Sequence, residues 1–176
     1  MTAPSKAAAI ALLMVAAAAA AMFGFQKKTA GPGRKAVPSI VFSDDRGRKA
    51  GLSEFRGRVV VLDFWASWCL PCRKEFPQFD QLQAQLGARG LAVVPVSIDA
   101  QGVSAVEAFY AENGVVHLPK YVDESRDGPR ALGFRGIPST IVIDRKGREA
   151  VRIEGPVDWM SPAVKAILTR LLDEPE

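Results

Sequence analysis

The chain has 176 residues, 48% apolar and 24% charged, which is enough apolar material for a packed domain and too much for a disordered chain. Its net charge of +4 originates in residues 1–36, which carry five basic side chains and no acid, while the remainder holds 18 basic and 19 acidic groups. The folded part therefore has no surplus of positive charge to follow a phosphate backbone, and nucleic acid is excluded as a leading partner.

Ala7 to Phe25 runs for 19 residues without a charge, with Lys6 before it and Lys27 and Lys28 after it. As a helix it would be about 28 Å long, close to the roughly 30 Å of a bilayer core, so residues 1–25 are expected to form a membrane anchor. A cleaved signal peptide is the alternative reading. Its apolar region is usually only about 7–15 residues long, although an Ala-x-Ala site can be read at Ala19–Ala21. The basic residues up to Lys35 outnumber those before the span, which by the positive-inside rule disfavours export of the domain. Residues 26–36 hold glycine and proline with little apolar content and read as a linker, leaving 37–176 as the domain.

Within the domain, Arg58 to Phe64 is a nearly continuous apolar run, the pattern of a strand covered on both faces. Pro71 to Leu86 places Phe76, Phe79, Leu82 and Leu86 at helical spacing before Gly87 and Gly90. Leu91 to Ile98 reads as a second buried strand, and Val103 to Asn113 as a second helix stopped at Gly114. Ser139 to Asp144 and Glu149 to Glu154 flank the turn Arg145-Lys146-Gly147 as a hairpin, and Trp159 to Leu172 is an amphipathic closing helix. The expected architecture is an α/β domain with a central mixed sheet flanked by helices. Trp159 and Trp65 read as packing residues, and His117 as a loop or strand-end residue.

The two cysteines, Cys69 and Cys72, stand three residues apart between the first strand and its helix. Such a pair cannot staple distant segments, and with one histidine in the chain it cannot complete a four-ligand zinc site. What remains is a redox dithiol. Cys69 falls at the helix N-terminus, where free amide N–H groups and the helix dipole favour a thiolate, and Pro71 is tolerated in the first turn. Cys69 is accordingly read as the nucleophile and Cys72 as the resolving thiol. Asp63 lies among valines and leucines, where a carboxylate is costly to bury. Desolvation should raise its pKa.

VVVLDFWASWCLPCRKEFP at 59–77 and GIPSTIVIDRKG at 136–147 resemble the thioredoxin superfamily, and within it the membrane-tethered TlpA-like disulfide reductases, over roughly residues 37–172. The resemblance implies the thioredoxin fold, with Ala100 to His117 as the insertion of the TlpA-like branch. It implies a cis peptide at Pro138 that presents the Ile137 backbone to an extended substrate, and Trp68 as a flat apolar contact beside the nucleophile. Thioredoxins place a buried acid at the position of Asp63, behind the dithiol, where many TlpA-like relatives have asparagine, and this likeness implies that Asp63 accepts the Cys72 proton. One departure stands out. Thioredoxins hold a lysine near this acid, and the matching position here is Pro95.

Taken together, the expectation is a thiol–disulfide oxidoreductase acting on disulfides of exported or membrane-associated proteins. The cysteine pair encloses Leu70-Pro71 and lacks the histidine of strong oxidants, which favours a reductase. The resemblance implies a bacterial cytoplasmic membrane location with the domain in the periplasm, recharged by a membrane electron donor. Clients in cytochrome c or copper-oxidase maturation are implied in the same way. No cofactor and no metal are called for. The alternative, from a different class, is a copper-handling assembly module that uses the dithiol as a metal site.

Overall fold

The computed structural model describes residues 28–29 and 33–175. The expected anchor at 1–25 lies outside them, and among the described residues no helix is long and apolar enough to cross a membrane. In chain order the elements are β1 (Lys28–Thr29), β2 (Val41–Asp44), β3 (Lys49–Gly51), β4 (Val59–Trp65), α1 (Leu70–Leu86), β5 (Leu91–Ser97), α2 (Val103–Asn113), β6 (Tyr121–Val122), α3 (Asp127–Ala131), β7 (Ser139–Ile143), β8 (Glu149–Glu154) and α4 (Pro162–Asp173).

The strands form one mixed sheet in the order β1-β8-β7-β4-β5-β6-β2-β3. β4 is central because all seven of its residues are buried; it pairs parallel with β5 and antiparallel with β7. Alternate side chains leave a strand on opposite faces. Trp65 accordingly packs against Phe76 of α1 and Phe109 of α2, with ring centroids 4.1 and 4.9 Å away. Phe64, on the other face, meets Phe134 at 6.0 Å. Asp63 shares the face of Trp65, so its carboxyl enters the layer beneath α1.

The expected strands and helices are present within a few residues of their expected bounds. The closing helix begins later than its apolar spacing suggests: Ser161 caps it by accepting from Val164 N–H at 3.4 Å, and Pro162 opens it. Trp159 sits in the preceding loop, fully buried. At the end of α1, Gly87 keeps right-handed helical angles, and the reversal into β5 falls at Gly90, whose φ of +97° suits glycine. The short elements β2, β3, β6 and α3 carry no periodic signature and are additions to the expected set.

The described part of 26–36, expected to be a linker, is laid against β8. Lys28 and Thr29 pair antiparallel with Arg152 and Val151, and Ala36 bridges to Arg148. Arg34 reaches Asp144 at 3.1 Å and Glu174 at 2.5 Å. The segment covers what would otherwise be an open sheet edge.

Candidate active site

β4 ends at Trp65, and a tight turn through Ala66–Trp68 leads into α1. Several contacts fix that turn. The buried Asp99, just past β5, accepts from Ser67 N–H and Ser67 Oγ, both at 2.8 Å, and from Ser97 Oγ at 2.6 Å. Arg73 Nη1 donates to the Ser67 carbonyl at 3.1 Å, and Cys69 N–H donates to Ala66 O at 3.0 Å. Cys69 thereby becomes the N-cap of α1. Its Sγ accepts from Cys72 N–H at 3.3 Å, and no acid occupies the first turn. Sulfur at this position faces the positive end of the helix dipole.

Cys69 and Cys72 are joined in a disulfide, with Cα atoms 5.3 Å apart. Of the two, Cys69 is the more accessible, 5% exposed against 1% for Cys72. The neighbouring side chains are unusually open for apolar groups: Trp68 is 61% and Leu70 71% exposed. A groove of about 780 Å³, lined by Leu70, Pro71, Glu75, Gln78, Val157 and Val164 among others, runs from this rim along α1.

The Ile137–Pro138 peptide is cis. Ser139, next in the chain, pairs with Phe64, which brings Pro138 to the end of the sheet at which β4 delivers the dithiol. Pro138 is buried and its carbonyl accepts from Gly155 N–H at 2.9 Å, while Ile137 is half-buried. The structure thus brings Asp63, Trp68, Cys69, Cys72, Ile137 and Pro138 to one end of the domain. Pro95 lies beside Asp63 in the β4–β5 register.

Asp63 is fully buried. Its Oδ1 accepts from Thr140 Oγ1 at 2.7 Å, and its Oδ2 has no hydrogen-bond partner among the described residues. Burial, reinforced by the Glu75 carboxylate, pushes its pKa well above the usual carboxylate range, with the Thr140 hydroxyl acting the other way. Glu75 is a second buried acid that sequence reasoning missed. It is 3% exposed, one turn beyond Cys72 on α1. Its Oε1 accepts from Trp159 Nε1–H at 2.8 Å and Val157 N–H at 3.0 Å, while Oε2 is unpartnered among the described residues. Burial pushes its pKa up to about 7, against the lowering effect of those two donors. A signal was available: Glu75 adjoins Phe76 in a helix whose apolar residues face inward, but Glu at that spacing also fits a solvated helix edge.

His117 is away from the dithiol. It is exposed, and its Nδ1 lies 2.7 Å from Asp80 Oδ2. Among the described residues no group of three acids, histidines or cysteines is arranged to hold a metal ion.

Residues 32–168 match the Redoxin family. The chain belongs to that family. Within the thioredoxin superfamily it is a TlpA-like member, and it is a thiol–disulfide oxidoreductase. It is 32% identical over 131 residues to the thiol-disulfide oxidoreductase ResA of Geobacillus thermodenitrificans, covering 74% of each chain. Against ResA of Bacillus subtilis the identity is 30% over 119 residues, 68% of this chain and 65% of that one. Among solved structures it is similar to a thiol:disulfide interchange protein DsbE from Chlorobium tepidum, at 32% identity and TM-score 0.71, over 81% of this chain and 99% of that one. A secreted thiol-disulfide isomerase from Corynebacterium glutamicum superposes with TM-score 0.74 at 26% identity, over 86% and 95% of the two chains. The TlpA-like protein thus shares its fold with oxidoreductases that are described as interchange and isomerase proteins, so the fold alone does not set the direction of electron flow.

Proposed function

We propose that this TlpA-like protein reduces disulfides of exported proteins at the outer face of the bacterial cytoplasmic membrane, held there by residues 1–25. The observation that carries the reading is the position of Cys69. Its sulfur caps α1, receives an amide hydrogen bond, and is the more accessible of the pair. In the reduced protein the Cys69 thiolate attacks a client disulfide, forming a mixed disulfide and releasing one client thiol. Cys72 then loses its proton and attacks Cys69 Sγ, which frees the second client thiol and leaves the Cys69–Cys72 disulfide.

Trp68 offers the client an apolar surface, and the backbone at Ile137–Pro138 offers it an extended edge. Asp63 and Glu75 are the two buried groups able to take the Cys72 proton. A membrane electron donor returns two electrons to the disulfide. The clients the TlpA-like resemblance implies are those of cytochrome c or copper-oxidase maturation. A soluble periplasmic form after signal cleavage is the alternative for the leader.

Catalytic reduction of insulin disulfides, a reduction potential near about −270 mV and no stoichiometric Cu(I) binding are the expected results. A potential near about −120 mV would reverse the direction. Stoichiometric Cu(I) on the reduced dithiol without turnover would replace the reductase with the copper-handling module.

A further inference from the structure

Traced back toward its N-terminus, β1 heads for the end of the sheet that carries the dithiol. β8 runs toward the catalytic end, because its Glu154 pairs with Ser139 and Gly155 N–H donates to Pro138 O. β1 is antiparallel to β8, with Lys28 opposite Arg152 and Thr29 opposite Val151. Followed toward the N-terminus, the chain therefore advances toward Glu154. Lys28 stands two residues short of that level, about 7 Å along the strand.

The strap does not hang by this pairing alone. Glu149 N–H donates to Lys35 O at 2.8 Å and Val37 N–H to Gly147 O at 3.0 Å, continuing the same antiparallel direction. Arg34 ties Asp144 of the β7–β8 turn to Glu174 beyond α4, and Asp144 also holds Arg148 at 2.8 Å. The described residues are thus fastened in two places, Lys28–Thr29 by β8 near the site and Arg34–Val37 by backbone bonds and an ion-pair cluster at the far end of the hairpin.

Phe25, the last residue of the apolar run, is three residues before Lys28, a reach of at most about 11 Å. Across the sheet, β1 is three strand spacings from β4, about 14 Å. Both lengths are short beside the domain itself, so the chain leaves close to the dithiol and has little slack to turn the domain over.

We propose that this strap holds the domain on the bilayer with its dithiol end turned toward the lipid headgroups, so that the site meets thiols and disulfides presented at the membrane surface. The proposal rests on the reading of residues 1–25 as an anchor. A loose tether would let the domain sample all orientations, and the catalytic end would then serve freely diffusing clients.

Trp68 supplies the probe. It is open at the catalytic end, whereas Trp65 and Trp159 are fully buried. The full chain, oxidised, is reconstituted in phosphatidylcholine vesicles with and without headgroup spin-labelled lipid. Flotation reports the anchor, and the emission lost in Trp68→Phe isolates the Trp68 signal. The expected result is flotation together with about a twofold loss of the Trp68 signal on spin-labelled vesicles, as for an indole at headgroup depth. Inserting about ten Gly and Ser residues between Phe25 and Gln26 should leave flotation intact and abolish that loss. Flotation without quenching overturns the orientation and leaves the anchor standing, as does quenching that survives the insertion. Failure to float overturns the anchor and the orientation with it.

Discussion

Glu75→Gln isolates the energetic cost of one buried acid. The ordinary value for this carboxyl is 4.5, and burial pushes it up to about 7 in the folded protein. A carboxyl whose folded pKa is raised binds more protons folded than unfolded, so its contribution favours the folded state at low pH and is lost as pH rises. Here the loss runs from about pH 4.5 to about pH 7. At about 1.4 kcal/mol per pKa unit, the rise from 4.5 to about 7 corresponds to about 3 kcal/mol of stability lost by neutral pH. Glutamine keeps an oxygen for Trp159 Nε1–H and Val157 N–H, but its amide leaves an N–H where Oε2 now finds no partner, an offset of about 1–2 kcal/mol. Urea unfolding of the oxidised protein at pH 4.5, 6, 7 and 8 measures the balance. The parent should lose stability across this window and Glu75→Gln should lose about 3 kcal/mol less, so the two curves cross between about pH 5 and pH 6 and separate by pH 8. Parallel curves over the whole range would refute the assignment of a near-neutral pKa to Glu75.

Asp63→Asn should slow the resolution step more than the first attack and raise Tm, with the gain growing as pH rises, because a buried carboxyl with a raised pKa is replaced by a neutral group of similar shape. Stopped-flow separation of the two steps tests this, and equal slowing with no stability gain would count against the role. Cys72→Ser should keep one round of attack and accumulate mixed disulfides on non-reducing gels, while Cys69→Ser should do neither; reductase activity in the Cys69 variant would sink the assignment. Asp99→Ala leaves the Ser67 and Ser97 donors without their acceptor and should cost about 3 kcal/mol in urea unfolding. A loss below about 1 kcal/mol would mean that the turn before Cys69 is held by other contacts.

What could be read from residues alone was whatever rests on local pattern. The all-apolar β4 and β5, the dithiol between strand and helix, and the hairpin around Gly147 each have a signature confined to a few neighbouring positions. β2, β3 and β6 do not: they span two to four residues, alternate poorly, and exist as strands because tertiary pairing supplies partners on the sheet edge. The strap is illegible for the same reason. Glycine and proline in 26–36 suit a free linker, and only the unfilled edge of β8 and the acids Asp144 and Glu174, 110 and 140 residues away from Arg34, turn it into a bound segment. Asp63 was conspicuous because it interrupts an apolar strand. Glu75 was not, because a glutamate on a helix is ordinary until Trp159, from the loop before α4, closes over it.

The two acids differ in what opposes the effect of their burial. Both are raised by burial, but Asp63 has a single hydroxyl donor and the Glu75 carboxylate beside it, while Glu75 receives two N–H donors that favour its charged form. Burial therefore raises Asp63 well above the usual carboxylate range with only the Thr140 hydroxyl opposing it, while the two donors leave Glu75 at about 7. Near neutral pH the Glu75 carboxyl is close to its midpoint and able to exchange a proton in either direction. The proposed mechanism calls for such a group, since Cys72 must lose a proton when it resolves a mixed disulfide and regain one when the disulfide is reduced again. Among the described residues Asp63 Oδ2 and Glu75 Oε2 are the carboxyl oxygens left buried without a hydrogen-bond partner, a cost to stability that the proposed proton transfer would account for.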